Sequence, residues 1–132
     1  MDADLTYRII GFAMRVHRRL GPGLLESIYE RCLSHESIYE RCLSHELDRA
    51  EIPHTCQAPL SVNYDGVDLP CAYRADIIVH DQVVLEIKSV DRLGPLHEAQ
   101  LLTYLRLSGC RIGLLLNFNT VSLTDGLRRC VL

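Results

Sequence analysis

The chain has 132 residues and a mass of 15.0 kDa, which allows one domain with one hydrophobic core. Apolar residues make up 48% and charged residues 23% of it, so disordered, collagenous and low-complexity classes are excluded. The formal charge of −3, from 14 basic and 17 acidic residues, does not by itself indicate a nucleic-acid partner. Residues 1–4, MDAD, are acidic and lack the basic and apolar regions typical of a signal peptide, and no apolar run is long enough to span a bilayer. The sequence therefore predicts a soluble, cytoplasmic protein with no membrane partner.

Two amphipathic helices are predicted to open the chain. Apolar residues at three- and four-residue steps predict helix 1 over residues 4–19, and the Gly-Pro-Gly of residues 21–23 ends it. Helix 2 begins near residue 24 and contains a tandem duplication, because ESIYERCLSH of residues 26–35 is repeated unchanged at residues 36–45. An unbroken helix over residues 24–49 would be about 39 Å long, comparable to the whole domain. Part of it must therefore protrude, pair with another chain in a homodimer, or break.

The rest of the chain alternates between strand and helix patterns. Leu60, Val62 and Tyr64 alternate with polar residues and predict a first strand, which leads into a hairpin signal at Asp65-Gly66. A strand over residues 68–79, a turn and a strand over residues 83–89 follow. A helix opens at Gly94-Pro95 and stops at Gly109. A buried strand follows over residues 111–118, and a short C-terminal helix can begin near residue 123. The order α-α-β-β-β-α-β predicts an α/β fold with a mixed sheet flanked by helices.

Acidic residues face each other across the predicted hairpin. If its turn comprises residues 80–82, Asp76 lies directly across from Glu86, with Cβ atoms about 4.5–5.5 Å apart. Two such carboxylates repel each other, and this repulsion destabilises the empty hairpin. A divalent cation bound between them would offset the repulsion, since Mg²⁺ takes one or two carboxylates plus waters and phosphate oxygens. Lys88 projects from the same face, and the carbonyl of Ile87 offers a further ligand. The alternative is an ordinary strand whose charged face is solvated.

A polar stripe on the helix after Gly94 supports this site. His97, Gln100 and Tyr104 are spaced at i, i+3 and i+7, beside the leucines of the same helix. The stripe faces either the metal or a nucleic-acid backbone. The alternative is a solvated helix face with a half-buried tyrosine.

These residues carry a family resemblance. Asp76 and the Glu-Ile-Lys of residues 86–88 resemble the D…ExK core of the PD-(D/E)XK nuclease superfamily. Gln100 and Tyr104 resemble the QxxxY motif of its RecB-like members. Residues 23–29, GLLESIY, match the signature of the GxxExxY protein family. Two further segments also look like that family, so the resemblance covers nearly the whole chain as a single domain of residues 1–132: residues 16–22 and 113–118.

The resemblance implies a restriction-endonuclease-like core and cleavage of DNA phosphodiester bonds with Mg²⁺ or Mn²⁺. Carried over by position, Asp76 and Glu86 would bind the metal and Lys88 would position the attacking water. The remaining residues implied in substrate contact or support are Gln100, Tyr104 and Glu26. Of these, Glu26 would be the accessory acid from the first core helix.

The duplication leaves alternatives open. Glu26 is preferred over its repeat Glu36 as the accessory acid, because Glu26 keeps the preceding glycine motif. The negative net charge and the altered helix 2 also permit a different function on the same fold. In that alternative the chain is a non-catalytic nucleic-acid-binding or assembly module, and the duplicated helix alters its oligomerisation.

Overall fold

A computed structural model describes residues 2–23 and 37–132 of the chain. The predicted α/β order is confirmed, with one further strand at the C-terminal end. The elements in chain order are α1 (Asp2–Leu20), α2 (Ile38–Arg49), β1 (His54–Tyr64), β2 (Val67–Val79), β3 (Val83–Lys88), α3 (Pro95–Ser108), β4 (Ile112–Asn117), a 3₁₀ turn (Leu123–Gly126) and β5 (Leu127–Val131). Over the described part of the chain, no helix is both long and apolar enough to cross a bilayer.

Helix α2 begins inside the second copy of the decamer. Ser37 has an extended backbone, with φ −78° and ψ 165°, and its Oγ accepts a hydrogen bond from the backbone N–H of Glu40 at 3.0 Å. This is a serine N-cap, which satisfies a helix donor that has no partner within the helix. An unbroken helix over residues 24–49 is therefore excluded, and of the three alternatives the structure supports a break, with α2 beginning after Ser37. The first copy, with Glu26, lies within residues 24–36, outside the described residues.

The five strands form one mixed sheet in the order β1-β2-β3-β4-β5. Strands β3 and β4 are parallel and α3 connects them, whereas every other neighbouring pair is antiparallel. Val79 pairs with Val83, which confirms the predicted turn over residues 80–82. This register determines which residues of β2 and β3 face each other at the far end of the hairpin.

Each face of the sheet buries its own hydrophobic core. The face toward α1 and α2 buries residues that include Ile9, Leu43, Leu47, Leu85 and Leu114. The face toward α3 buries residues that include Val84, Leu101, Leu105 and Leu115. On β2, Ala75 belongs to the α3 core and Ile77 to the other, although residues two apart share a face in a regular strand. Strand β2 thus changes faces at Asp76, which lies at the boundary between the two cores.

The C-terminal region differs from the expected short helix. Leu123–Gly126 forms a single 3₁₀ turn, and β5 then pairs antiparallel with β4 at the edge of the sheet. The sequence of β5 places two exposed arginines side by side, so it lacks the strict alternation that signals a half-buried strand. Pairing with the buried β4 decides its conformation instead.

Candidate active site

Two carboxylates meet where the β2–β3 ladder ends. The last regular pair is Ile77 with Leu85, and the next facing positions are Asp76 and Glu86. The backbone N–H of Asp76 donates to Glu86 Oε1 at 3.1 Å, and the backbone N–H of Ile87 donates to Asp76 Oδ2 at 2.7 Å. Carboxylate oxygens therefore accept backbone hydrogen bonds here, which holds both side chains against the ends of the strands. We call Asp76 and Glu86 the carboxylate pair.

The carboxylate pair is largely withdrawn from water. Glu86 is 4% exposed, and burial together with the negative charge of Asp76 raises the pKa of Glu86 to about 9. Burial also raises the pKa of Asp76, against the lowering effects of the Ile87 N–H and the Lys88 charge. Two close carboxyl groups in such surroundings do not both ionise readily. The pair therefore binds one proton more tightly than two isolated carboxyl groups would.

Lys88 ends β3, two residues beyond Glu86. Its positive charge lowers the pKa of both members of the carboxylate pair, so it lies within electrostatic range of them. The Lys88 carbonyl accepts the backbone N–H of Phe118 at 2.9 Å. Just beyond, the buried Asn117 side chain accepts from the Val90 N–H at 3.0 Å and donates to the Val90 carbonyl at 2.9 Å. Hydrogen bonds therefore connect the end of β3, and the residues directly after it, to the end of β4.

The three residues of the polar stripe predicted on α3 have different surroundings in the structure. Tyr104 is 5% exposed, and burial followed by the charges of the carboxylate pair raises the pKa of Tyr104 to about 12. Gln100 lies one turn earlier on α3 and is exposed. His97 accepts the backbone N–H of Gly94 at 2.9 Å through Nδ1 and so closes the start of the helix. Tyr104 is therefore a residue of this stripe on which the carboxylates act electrostatically.

Two further polar residues border the site, and neither was predicted from the sequence. Gln57 lies on β1 opposite Asp76, with a left-handed φ of 51°. Its Nε2 donates to both carboxylate oxygens of Glu40, at 3.0 and 3.2 Å, and the Gln57 side chain also lowers the pKa of Asp76. Glu40 is 2% exposed and belongs to the second decamer copy. In the sequence, the signal for Glu40 is its position directly after Tyr39. The first copy contains the same Tyr-Glu pair, so this signal does not distinguish the two copies.

The donor set at this site suits a hard divalent cation. Within residues 2–23 and 37–132, no three His, Cys, Asp or Glu side chains gather into a metal cluster. The two carboxylates of the pair would thus be the acidic ligands, beside the predicted Ile87 carbonyl. Mg²⁺ is commonly bound in this way, by one or two carboxylates with waters and substrate phosphates completing the shell. Sulfur and imidazole donors, which Zn²⁺ prefers, are not part of the described site.

The comparison with protein families agrees with this arrangement. A model of the PD-(D/E)XK nuclease superfamily matches residues 3–36 and 34–130, and each matched segment contains one complete copy of the decamer. The chain belongs to the PD-(D/E)XK nuclease superfamily, and its mixed sheet with flanking helices is consistent with a restriction-endonuclease-like core. The searches of curated proteins and of solved structures yield no match.

Proposed function

We propose that the chain is a nuclease that hydrolyses DNA phosphodiester bonds with Mg²⁺ or Mn²⁺. The observation that carries this proposal is the carboxylate pair itself, in which Glu86 is buried and each side chain accepts a backbone N–H from the neighbouring strand. A cation bound there would offset the mutual repulsion of the two carboxylates and displace any proton that they share. Membership of the PD-(D/E)XK nuclease superfamily supports the same chemistry.

Each residue of the site has a proposed part. Asp76 and Glu86, with the carbonyl of Ile87, hold the cation, which when bound polarises the phosphate and activates water. Lys88 orients the attacking water and stabilises negative charge on the phosphate, because its ammonium group lies within electrostatic range of the pair. Tyr104 braces the site from α3.

Calorimetric titration with Mn²⁺ tests the cation site directly. We expect the wild type to bind Mn²⁺ with release of about one proton per ion near neutral pH, measured by comparing buffers of different ionisation enthalpy. Asp76→Asn and Glu86→Gln should each abolish binding. Glu98→Gln is the matched control, since Glu98 is exposed on α3. A folded wild type that binds no Mn²⁺, alone or with an oligonucleotide present, would contradict the proposal.

Cleavage of labelled DNA tests the catalytic role of Lys88. Lys88→Met should retain Mn²⁺ binding and lose at least about a hundredfold in cleavage rate, because general electrostatic and proton-transfer contributions are of this order. Cleavage by Lys88→Met at the wild-type rate would overturn the assignment.

A non-catalytic module remains the second candidate, and the net charge of −3 is the observation that favours it. Salt-dependent DNA binding without metal-dependent cleavage would identify it.

We also assign the chain to the GxxExxY type, on the GLLESIY of residues 23–29, and to the RecB-like members, on Gln100 and Tyr104. The proposed homodimer through helix 2 predicts a larger elution volume after one decamer is deleted, and deleting either copy produces the same chain.

A further inference from the structure

An exposed aromatic ring lies beside the candidate site. Tyr73 is on β2, three residues before Asp76, and is 43% exposed. Its ring contacts that of Tyr104, with centroids 5.7 Å apart and planes tilted by 52°. Tyr104 is 5% exposed, so Tyr73 is the outer member of the pair. Contact with Tyr104 covers part of the Tyr73 ring and leaves the remainder facing solvent.

The inner tyrosine connects this ring to the carboxylates. Tyr104 borders the carboxylate pair closely enough for the charges of Glu86 and Asp76 to raise the pKa of its hydroxyl. Tyr73 therefore lies one ring away from the groups proposed to hold the cation. A phosphate bound at the cation would place its neighbouring nucleotides in the region of Tyr73.

An exposed aromatic ring in that position suits one class of ligand. Nucleobases stack on aromatic side chains, and such stacking tolerates any base because every base has a π face. In a duplex the faces of a base are covered by its neighbours, so only an unpaired or terminal base can stack on a protein ring. The contact with Tyr104 restrains the Tyr73 ring, so less conformational freedom is lost when a base binds.

We propose that Tyr73 is a base-stacking platform and that the site takes single-stranded DNA. This inference rests on the proposed nuclease function and specifies its substrate. Tyr73 is then a binding residue next to the scissile phosphate, distinct from the residues that hold the cation.

Fluorescence anisotropy with a labelled single strand and the matching blunt duplex, both in EDTA, tests the proposal without cleavage. Tyr73→Leu keeps an apolar contact for Tyr104 and removes the aromatic face. We expect it to weaken single-strand binding by about 5–150-fold, which corresponds to 1–3 kcal/mol per stacked base. Tyr73→Phe should bind like the wild type. Tyr64→Leu is the matched control, because Tyr64 lies on the same hairpin and is 68% exposed.

Three results would overturn the platform. They are unchanged single-strand binding by Tyr73→Leu, an equal loss for single strand and duplex, and an equal loss in Tyr64→Leu. Thermal melting of each variant verifies that it is folded, and Tyr73→Phe provides a conservative replacement that retains the ring. Mn²⁺ titration is performed without DNA and the anisotropy without metal, so failure of the stacking platform and failure of the cation site are observed separately.

Discussion

The proton held by the carboxylate pair predicts that the metal-free protein loses stability as the pH rises. Burial and the charge of Asp76 raise the pKa of folded Glu86 from its ordinary 4.5 to about 9. Between these values the folded state binds a proton that the unfolded state has released, so the free energy of unfolding decreases with pH. The contribution is complete below the unfolded pKa and is lost as the pH rises through the folded one. One proton gives a slope of about 1.4 kcal/mol per pH unit, or roughly 3 kcal/mol between pH 6 and 8.

Urea unfolding in EDTA at several pH values between these limits measures this slope. We expect the free energy of unfolding of Glu86→Gln to depend less steeply on pH than that of the wild type. The difference should equal the contribution of about one proton, because a glutamine at this position does not titrate. Glu98→Gln should leave the slope unchanged, since Glu98 is exposed on α3. Saturating Mn²⁺ should reduce the wild-type slope, because a bound cation holds the pair ionised at every pH in the range. Identical slopes in the wild type and Glu86→Gln would refute the protonated pair.

Two further predictions concern the framework around the site. Tyr39→Ala should destabilise the fold by about 3–5 kcal/mol in urea unfolding, because the ring is fully buried and stacks on Phe118 with centroids 4.4 Å apart. Tyr29→Ala, the same change in the first copy, should cost far less, and equal losses would show that either copy supplies this tyrosine. Asn117→Ala should cost roughly 2–4 kcal/mol, since it removes three hydrogen bonds from a side chain that is 2% exposed. Asn119→Ala, which keeps the main link to the residues after β3, is its control, and an equal loss there would contradict the reasoning.

The carboxylate pair could be predicted because it depends on local geometry. A turn of residues 80–82 and the two-residue period of strands are enough to place Asp76 opposite Glu86. The start and end of α3 were predictable for a similar reason. Pro95 at the first helical position and Gly109, with a φ of 79°, are local backbone signals.

The choice between the decamer copies could not be predicted from local sequence. Both copies have the same helix propensity, the same serine in second position and the same apolar spacing, because their sequences are identical. The difference lies in long-range contacts of the second copy, whose Tyr39 stacks on Phe118 and donates to the carbonyl of Gly21 at 2.6 Å. The preference for Glu26 over Glu36 concerns residues outside the described part, whereas Glu40 is the acid that the structure places against Gln57.

The sequence by itself determined the class of elements, the hairpin register and the pairing of two carboxylates, because periodicity and turn length act over a few residues. Only the tertiary structure decided that α2 starts at Ile38, that β5 completes the sheet and that Gln57 of β1 donates to Glu40 of α2. Each of these depends on residues far apart in the chain. Burial between two cores also raises the pKa of Glu86, and no local pattern reports how much water a folded chain excludes.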